Sequence, residues 1–234
     1  MNPEDVCDPN TPSQQTPLDA LRIFAIQKFS IQGDLAHYEL YTRTGLLTIF
    51  WHGQQQEQNV VLMTGGALGG LLGPGNGVYH KLGDALSNKG IGAMRVACRH
   101  PGQLAPCVLD IIAAMQLAVG NGAKNFILVG HSFGGAVVIQ AAVAMPQLVK
   151  GVVTLATQSA GCEGARGLQG RPFLLIHGAN DEILPLSSSE MVQSFAGCGE
   201  LVVLPNSGHL LQEDEGELYN VLFEWIKNTI TSIL

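Results

Sequence analysis

From residue 60 onward, short apolar runs alternate with segments of helical length, and this alternation restricts the fold more than any other feature. It is typical of a mainly parallel sheet covered by helices on both faces. The low content of charged residues, 13%, agrees with a sheet that is buried on both sides. The pattern predicts strands over residues 60–64, 93–98, 125–130, 152–156, 172–176 and 200–204, and helices over residues 78–88, 104–119, 133–145, 187–196 and 213–233. We therefore expect an α/β fold whose ligand site lies beyond the carboxyl ends of the strands.

The first fifty residues do not follow this alternation. Residues 1–20 contain four prolines among polar residues and show no apolar period, so we expect a flexible tail there. Residues 22–51 have the apolar spacing of strands, with a turn sequence at 42–45, which predicts two or three antiparallel strands. No repeat and no linker divides the chain, so residues 21–234 are expected to form one domain.

Charge and cysteine content exclude several classes of protein. The chain has 12 Lys and Arg against 19 Asp and Glu, a net charge of −7, and no basic run that could bind nucleic acid. The five cysteines are odd in number and lack CxxC or zinc-finger spacing, which favours a reducing, cytoplasmic setting without a bound metal. The amino terminus does not read as a signal peptide. We expect neither a membrane span nor a cofactor, and the sequence leaves the oligomeric state open.

A Gly-His-Ser-Phe-Gly sequence at residues 130–134 joins a predicted strand to a predicted helix. This G-x-S-x-G pattern, in this setting, forms a sharp turn that exposes the serine hydroxyl. Flanking glycines are needed because so sharp a turn leaves no room for a Cβ atom. Ser132 is therefore the candidate nucleophile, and His131 is expected to line the substrate site. The alternative is a tight glycine turn in which Ser132 only caps the helix.

A serine nucleophile needs a base, and the base needs a carboxylate that orients it. Asp181 follows the predicted strand 172–176, and His209 follows the predicted strand 200–204. Parallel strands end at one edge of a sheet, so we expect both side chains near the serine. The alternatives are an Asx turn or helix cap at Asp181, an ordinary loop histidine at His209, and Glu182 as the acid.

In the order Ser132, Asp181, His209, these residues resemble the α/β-hydrolase family, which includes many esterases, lipases and thioesterases. The resemblance covers the chain from about residue 22 onward and includes the His-Gly-x-x-Asp loop at 177–181 and a Ser-Gly-His loop that ends at His209. It implies the α/β-hydrolase fold, a mostly parallel eight-stranded sheet with an antiparallel second strand. It also implies that Ser132 is the nucleophile, His209 the general base and then acid, and Asp181 the residue that orients His209.

The resemblance further implies an oxyanion hole made of two backbone N–H groups. One follows the nucleophile, at Phe133, and the other comes from the loop after the family's third strand, at Gly66 or Ala67. Many relatives have a histidine in that loop, where this chain has Thr64 or Gly65. Both choices of the second donor stay open, and Gly65 is expected to contact the substrate.

Two segments bear on the substrate. Residues 65–77 contain seven glycines without a following Gly-Lys-Ser/Thr, which favours the wall of a substrate pocket over a phosphate-binding loop. Residues 157–171 are too few for the helical cap that many family members carry at this point. We therefore expect an open, shallow site and a small ester or thioester that is cleaved through an acyl-enzyme on Ser132. The alternative is a ligand-binding or signalling protein of the same fold with slow or no turnover.

Overall fold

The computed structural model describes residues 16–233, and in this part of the chain nine strands form one sheet. In chain order the strands are β1 (Ile23–Gln32), β2 (Leu35–Thr42), β3 (Gly45–His52), β4 (Asn59–Thr64), β5 (Gly92–Ala97), β6 (Asn125–His131), β7 (Val149–Leu155), β8 (Phe173–Gly178) and β9 (Glu200–Leu204). They lie side by side in the order β1-β2-β3-β5-β4-β6-β7-β8-β9. The mostly parallel α/β architecture is thus confirmed.

The number of strands differs from the expected eight. From β2 onward the sheet has eight strands, and the second of these, β3, is antiparallel to both of its neighbours, as the resemblance implies. The additional strand is β1, which pairs with β2 in a hairpin and forms the edge of the sheet. The apolar spacing of residues 22–51 predicted two or three antiparallel strands, and the structure contains three.

Helices cover both faces of the sheet, and the sheet separates two apolar cores. The helices are α1 (Pro17–Ala20), α2 (Pro74–Ser87), α3 (Leu104–Gly120), α4 (Phe133–Ala144), α5 (Ser187–Ala196) and α6 (Glu215–Thr231). Leu62 of β4 faces the core formed with α3, α4 and α5, whereas the next residue, Met63, faces the core formed with α2 and α6. Because successive side chains of a strand point to opposite faces, a strand buried on both sides appears in the sequence as a continuous apolar run.

The structure corrects the carboxyl-terminal end of the predicted tail. Residues 1–15 lie outside the described residues, but residues 17–20 form α1. The Thr16 side chain accepts a hydrogen bond from the Asp19 amide, and the Asp19 side chain accepts one from the Thr16 amide. This reciprocal pair stabilises a short helix, and Pro17 suits its first position. The Leu18 amide also donates to Gln116 of α3 at 2.9 Å, which holds α1 against the domain.

The connection between β7 and β8 contains only a short 3-10 helix, Glu163–Leu168, which packs against α4 and α5. The absence of a large cap at this position is confirmed. The carboxyl ends of β4, β6, β8 and β9 lie at the same side of the sheet, and the candidate residues follow them. No helix within residues 16–233 has the length and apolar character needed to cross a membrane.

Candidate active site

Ser132 occupies the sharp turn between β6 and α4 with φ 55° and ψ −119°. A Cβ atom on Gly130 would overlap the carbonyl oxygen of Gly134, and one on Gly134 would overlap that of Gly65. The two glycines of the motif are therefore required by space, as the sequence predicts. Within the described part of the chain, the Ser132 side chain makes no capping hydrogen bond to α4. The hydroxyl is thus not committed to the helix, which argues against the capping alternative.

Asp181 and His209 lie in the loops after β8 and β9 and contact each other. The Nδ1 atom of His209 is 2.8 Å from Oδ2 of Asp181. The other carboxylate oxygen accepts hydrogen bonds of 2.8 Å from the amides of Ile183 and Leu184. Burial by itself raises the pKa of the Asp181 carboxyl, but the hydrogen bonds from Leu184, His209 and Ile183 outweigh it and lower the pKa below its usual value. Asp181 is therefore anionic at neutral pH, and it is this carboxylate that contacts His209.

His177, at the end of β8, is a second imidazole at this carboxylate. It is fully buried, and its Nε2 lies 3.0 Å from the Leu184 carbonyl and 3.2 Å from Oδ2 of Asp181. Because a carbonyl oxygen only accepts, Nε2 carries the proton and Nδ1 accepts the Ser189 hydroxyl at 2.7 Å. His177 thus fixes the turn that holds Asp181. The His-Gly-x-x-Asp spacing was the available signal.

Ser132 and His209 line one cavity with a volume of about 620 Å³. His131 also lines it, and its Nε2 is 3.0 Å from the backbone carbonyl of His209. Burial lowers the pKa of His131 to about 4, so this imidazole is neutral at pH 7. The remaining lining residues come from residues 65–74 and from two positions that flank the triad candidates, Ile183 and Leu210.

The start of the glycine-rich loop lies directly beside the serine. A Cβ atom on Gly66 would be 3.3 Å from Cβ of Ser132, and Gly65 and Ala67 line the same cavity. Phe133 is the first residue of α4, where backbone donors have no partner inside the helix. The positions expected to supply the two oxyanion donors are therefore neighbours of Ser132, and Gly66 and Ala67 both remain candidates.

The loop is attached to the domain at several points beyond its glycines. The Tyr79 hydroxyl donates to the Thr64 carbonyl at 2.9 Å, and the Tyr79 amide donates to the Leu72 carbonyl at 3.0 Å. The Gly75 amide donates to the carbonyl of Leu210, beside His209, at 2.7 Å. These contacts hold the loop between the sheet and the loop that carries His209, so it forms one wall of the cavity, as the sequence predicts.

A buried arginine supports the same loop from the sheet. Arg95 of β5 is 5% exposed, and its Nη1 donates to the Leu71 carbonyl at 3.4 Å. Its Nε donates at 2.9 Å to Nε2 of His52, whose Nδ1 lies 2.8 Å from Asp84. Burial is the main reason that the pKa of His52 lies below its usual value. The sequence offers no signal for this relay, because its members come from separate elements.

His52 and Asp84 also lie near His80, and the three side chains are close enough together to suggest a metal site. An arginine can only donate, so Nε2 of His52 accepts and Nδ1 carries the proton that is donated to Asp84. Neither nitrogen of His52 then has a free lone pair for a metal. The cluster fits a hydrogen-bond relay better than a metal centre.

Comparisons with known proteins identify the family and the fold. Residues 74–200, more than half of the chain, match the sequence profile described as the alpha/beta hydrolase family. No curated protein sequence matches the chain. Among solved structures, Est1E from Butyrivibrio proteoclasticus has a TM-score of 0.70 at 16% identity, over 83% of this chain and 99% of that chain. The dienelactone hydrolase from Anabaena variabilis has a TM-score of 0.69 at 15% identity, over 87% and 98%. A thioesterase domain from the curacin biosynthetic pathway has a TM-score of 0.59 at 13% identity, over 85% and 99%.

Proposed function

We propose that this chain, which belongs to the alpha/beta hydrolase family, is a serine hydrolase that cleaves an ester or thioester through an acyl-enzyme on Ser132. One observation carries the proposal: Ser132, on a strained turn, and His209, hydrogen-bonded to the anionic Asp181, line the same cavity. A positioned nucleophile, a base and an orienting acid are the parts that acyl transfer requires.

In the proposed reaction, Nε2 of His209 takes the proton of the Ser132 hydroxyl as Oγ attacks the substrate carbonyl. The hydrogen bond to Asp181 keeps the proton of the neutral imidazole on Nδ1, so Nε2 is free to accept. The carboxylate then stabilises the imidazolium that forms. Transfer of the proton from Nε2 to the leaving oxygen or sulfur completes the acylation.

The tetrahedral intermediate carries a negative charge on the former carbonyl oxygen. We assign its stabilisation to the N–H of Phe133, which follows Ser132, and to the N–H of Gly66 or Ala67 in the loop beside Ser132. Fixed donors of this kind stabilise the transition state by about 3–4 kcal/mol each. In the second half of the reaction His209 activates a water molecule, which releases the acid and restores the serine.

A fluorophosphonate probe tests the proposal, because it reacts covalently with an activated serine. Mass spectrometry should place the label on Ser132, and the labelling should be lost in Ser132→Ala and strongly slowed in His209→Ala. Ser194→Ala, which changes an exposed serine on α5, is the matched control and should label like the wild type. If the native protein is not labelled at any pH between about 6 and 9, the result would favour the alternative of a binding protein without turnover.

A further inference from the structure

The walls of the cavity beside Ser132 contain no permanently charged side chain among the described residues. Of residues 16–233, the titratable side chains that line it are His131 and His209, and the lowered pKa of His131 keeps that ring neutral at pH 7. A charged ligand would lose its hydration there without gaining a partner of opposite charge. The cavity is therefore suited to an uncharged group.

Four large aliphatic side chains surround this cavity and are exposed to solvent. They form what we call the apolar rim, which consists of Leu68, Leu72, Ile183 and Leu210. Their exposed fractions are 101%, 62%, 65% and 50% respectively. Single exposed leucines are ordinary, but a cluster around one cavity is a usual mark of a binding site for apolar groups.

The exposure of Leu68 follows from the packing of its own turn. The Gly69 amide donates to the Gly66 carbonyl at 2.9 Å, which closes a tight turn with Leu68 near its tip. On one side, a Cβ atom on Gly66 would lie 3.3 Å from Cβ of Ser132. On the other side, a Cβ atom on Gly69 would lie 3.0 Å from Cγ of Pro101. Both sides of the turn are packed, so Leu68 is held at the cavity mouth.

Accepting the hydrolase function proposed above, we infer that the substrate is an uncharged ester or thioester with an apolar chain of several carbons, which packs against the apolar rim. A cavity of about 620 Å³ has the size of sites for drug-sized ligands. An acetyl group would leave the apolar rim in water. This inference replaces the small acyl group expected from the sequence, because the glycine-rich loop supplies the apolar wall that the missing cap does not.

The test compares hydrolysis of p-nitrophenyl acetate, butyrate, hexanoate and octanoate, all as soluble monomers. A parallel series of ethyl, butyl and octyl acetates determines whether the chain belongs to the acyl or the alcohol side. In one of the two series kcat/KM should rise by about twofold to fourfold for each methylene that becomes buried. Equal or lower kcat/KM for the long chains in both series would overturn the inference.

Substitutions in the apolar rim give the second arm. Leu68→Ser should lower the octanoate-to-acetate ratio, or the octyl-to-ethyl ratio, by about threefold or more, and Leu68→Met should keep it. Met191→Ser changes an exposed apolar residue of α5 outside the cavity, and should leave the ratio unchanged. An unchanged ratio in Leu68→Ser would overturn the inference. So would an effect of Leu68→Ser confined to esters presented in micelles, since the apolar rim would then contact an interface.

A binding measurement keeps this inference separate from the catalytic proposal. The uncharged ketone 2-decanone resembles an ester in its carbonyl group but cannot be hydrolysed. Calorimetry should detect its binding to the wild type and weaker binding to Leu68→Ser. If the protein hydrolyses no ester but binds 2-decanone in this way, the catalytic proposal fails and the apolar site stands. If Ser132 is labelled by the fluorophosphonate but 2-decanone does not bind, the apolar site fails and the catalytic proposal stands.

Discussion

His131 donates a hydrogen bond of 3.0 Å from Nε2 to the backbone carbonyl of His209. The residue before the proposed nucleophile thus holds the loop of the proposed base, across a separation of 78 residues in the chain. The two rings lie 5.0 Å apart, and His131 is almost fully buried. Because the pKa of His131 is low and its ring holds the loop of His209, the protonation of His131 is coupled to the geometry of the cavity.

Acidification should destabilise the protein through His131. Its pKa is about 4 when folded and about 6.5 when unfolded, so the unfolded state binds the proton first as the pH falls. The resulting stabilisation is complete above about pH 6.5 and is lost towards pH 4, by about 3 kcal/mol in total. Urea unfolding at several pH values should show a smaller loss over this range in His131→Gln than in the wild type.

Other titratable groups do not affect this comparison of the wild type with His131→Gln. The lowered pKa of His52 acts in the same direction but is still present in the variant. The lowered pKa of Asp181 stabilises the fold above about pH 4, and that contribution is lost only as the pH falls further. Parallel pH curves for the wild type and His131→Gln would contradict the expected role of His131.

Asp181→Asn should reduce kcat by roughly a thousandfold or more while the protein remains folded. An amide nitrogen facing Nδ1 of His209 would favour the tautomer in which Nε2 carries the proton, and such a ring cannot accept the proton of Ser132. Turnover of the best p-nitrophenyl ester, with circular dichroism to verify folding, measures the effect. Glu182→Gln is the matched control because it neutralises the adjacent exposed carboxylate, and an equal loss there would contradict the assignment.

Gly134→Ala should destabilise the protein by about 1–3 kcal/mol and abolish labelling of Ser132. The added methyl group would overlap the Gly65 carbonyl and displace the glycine-rich loop from the serine. Gly216→Ala in α6 is the control, since within residues 16–233 no heavy atom outside the adjacent helix backbone lies within 4 Å of the added Cβ position. It should be neutral or stabilising by less than about 1 kcal/mol, and labelled normally. Full labelling of Gly134→Ala would argue against the close packing described for the turn.

Arg95→Met should raise KM and lower the free energy of unfolding by about 1–3 kcal/mol. The substitution leaves Nε2 of His52 and the Leu71 carbonyl without their donor, and the loop that lines the cavity loses its support from β5. Arg43→Met, at an exposed position, should change the free energy of unfolding by no more than about 0.5 kcal/mol. It should change KM by no more than about twofold. Steady-state kinetics and chemical unfolding measure both effects. A destabilised variant with unchanged KM would limit Arg95 to a purely structural role.

Much of the fold follows from local sequence. The helix over residues 187–196 and the strand over residues 200–204 have the predicted ends, because each apolar pattern stops at a clear break. The predicted start of α2 at residue 78 also has a physical basis. Gly75, Asn76 and Gly77 have positive φ angles, so the regular helix begins only after them. The apolar spacing of residues 22–51 allowed for all three antiparallel strands, whereas the family resemblance implied eight strands in total, one fewer than the sheet contains.

The candidate site also has parts that follow from local sequence and parts that depend on distant contacts. The strand-turn-helix at Ser132 is a local motif, and its glycines are explained by atoms within a few residues or by one neighbouring loop. The sequence therefore determined the α/β class, the order of the proposed triad and the ends of strands where it lies. Backbone sterics and the periodicity of burial act over short stretches of chain, so these features can be predicted from the sequence alone.

Only the tertiary structure decided which distant groups meet. It placed Asp181 against His209, brought His177 to the same carboxylate, and placed Arg95 within hydrogen-bond distance of the Leu71 carbonyl. The sequence predicted the glycine-rich loop as a pocket wall, but only the structure showed that this loop lines an apolar cavity of about 620 Å³. The path of that loop depends on hydrogen bonds to residues from 7 to 135 positions away along the chain, from Tyr79 to Leu210. Such contacts form only when the whole sheet is assembled, so no local pattern encodes them.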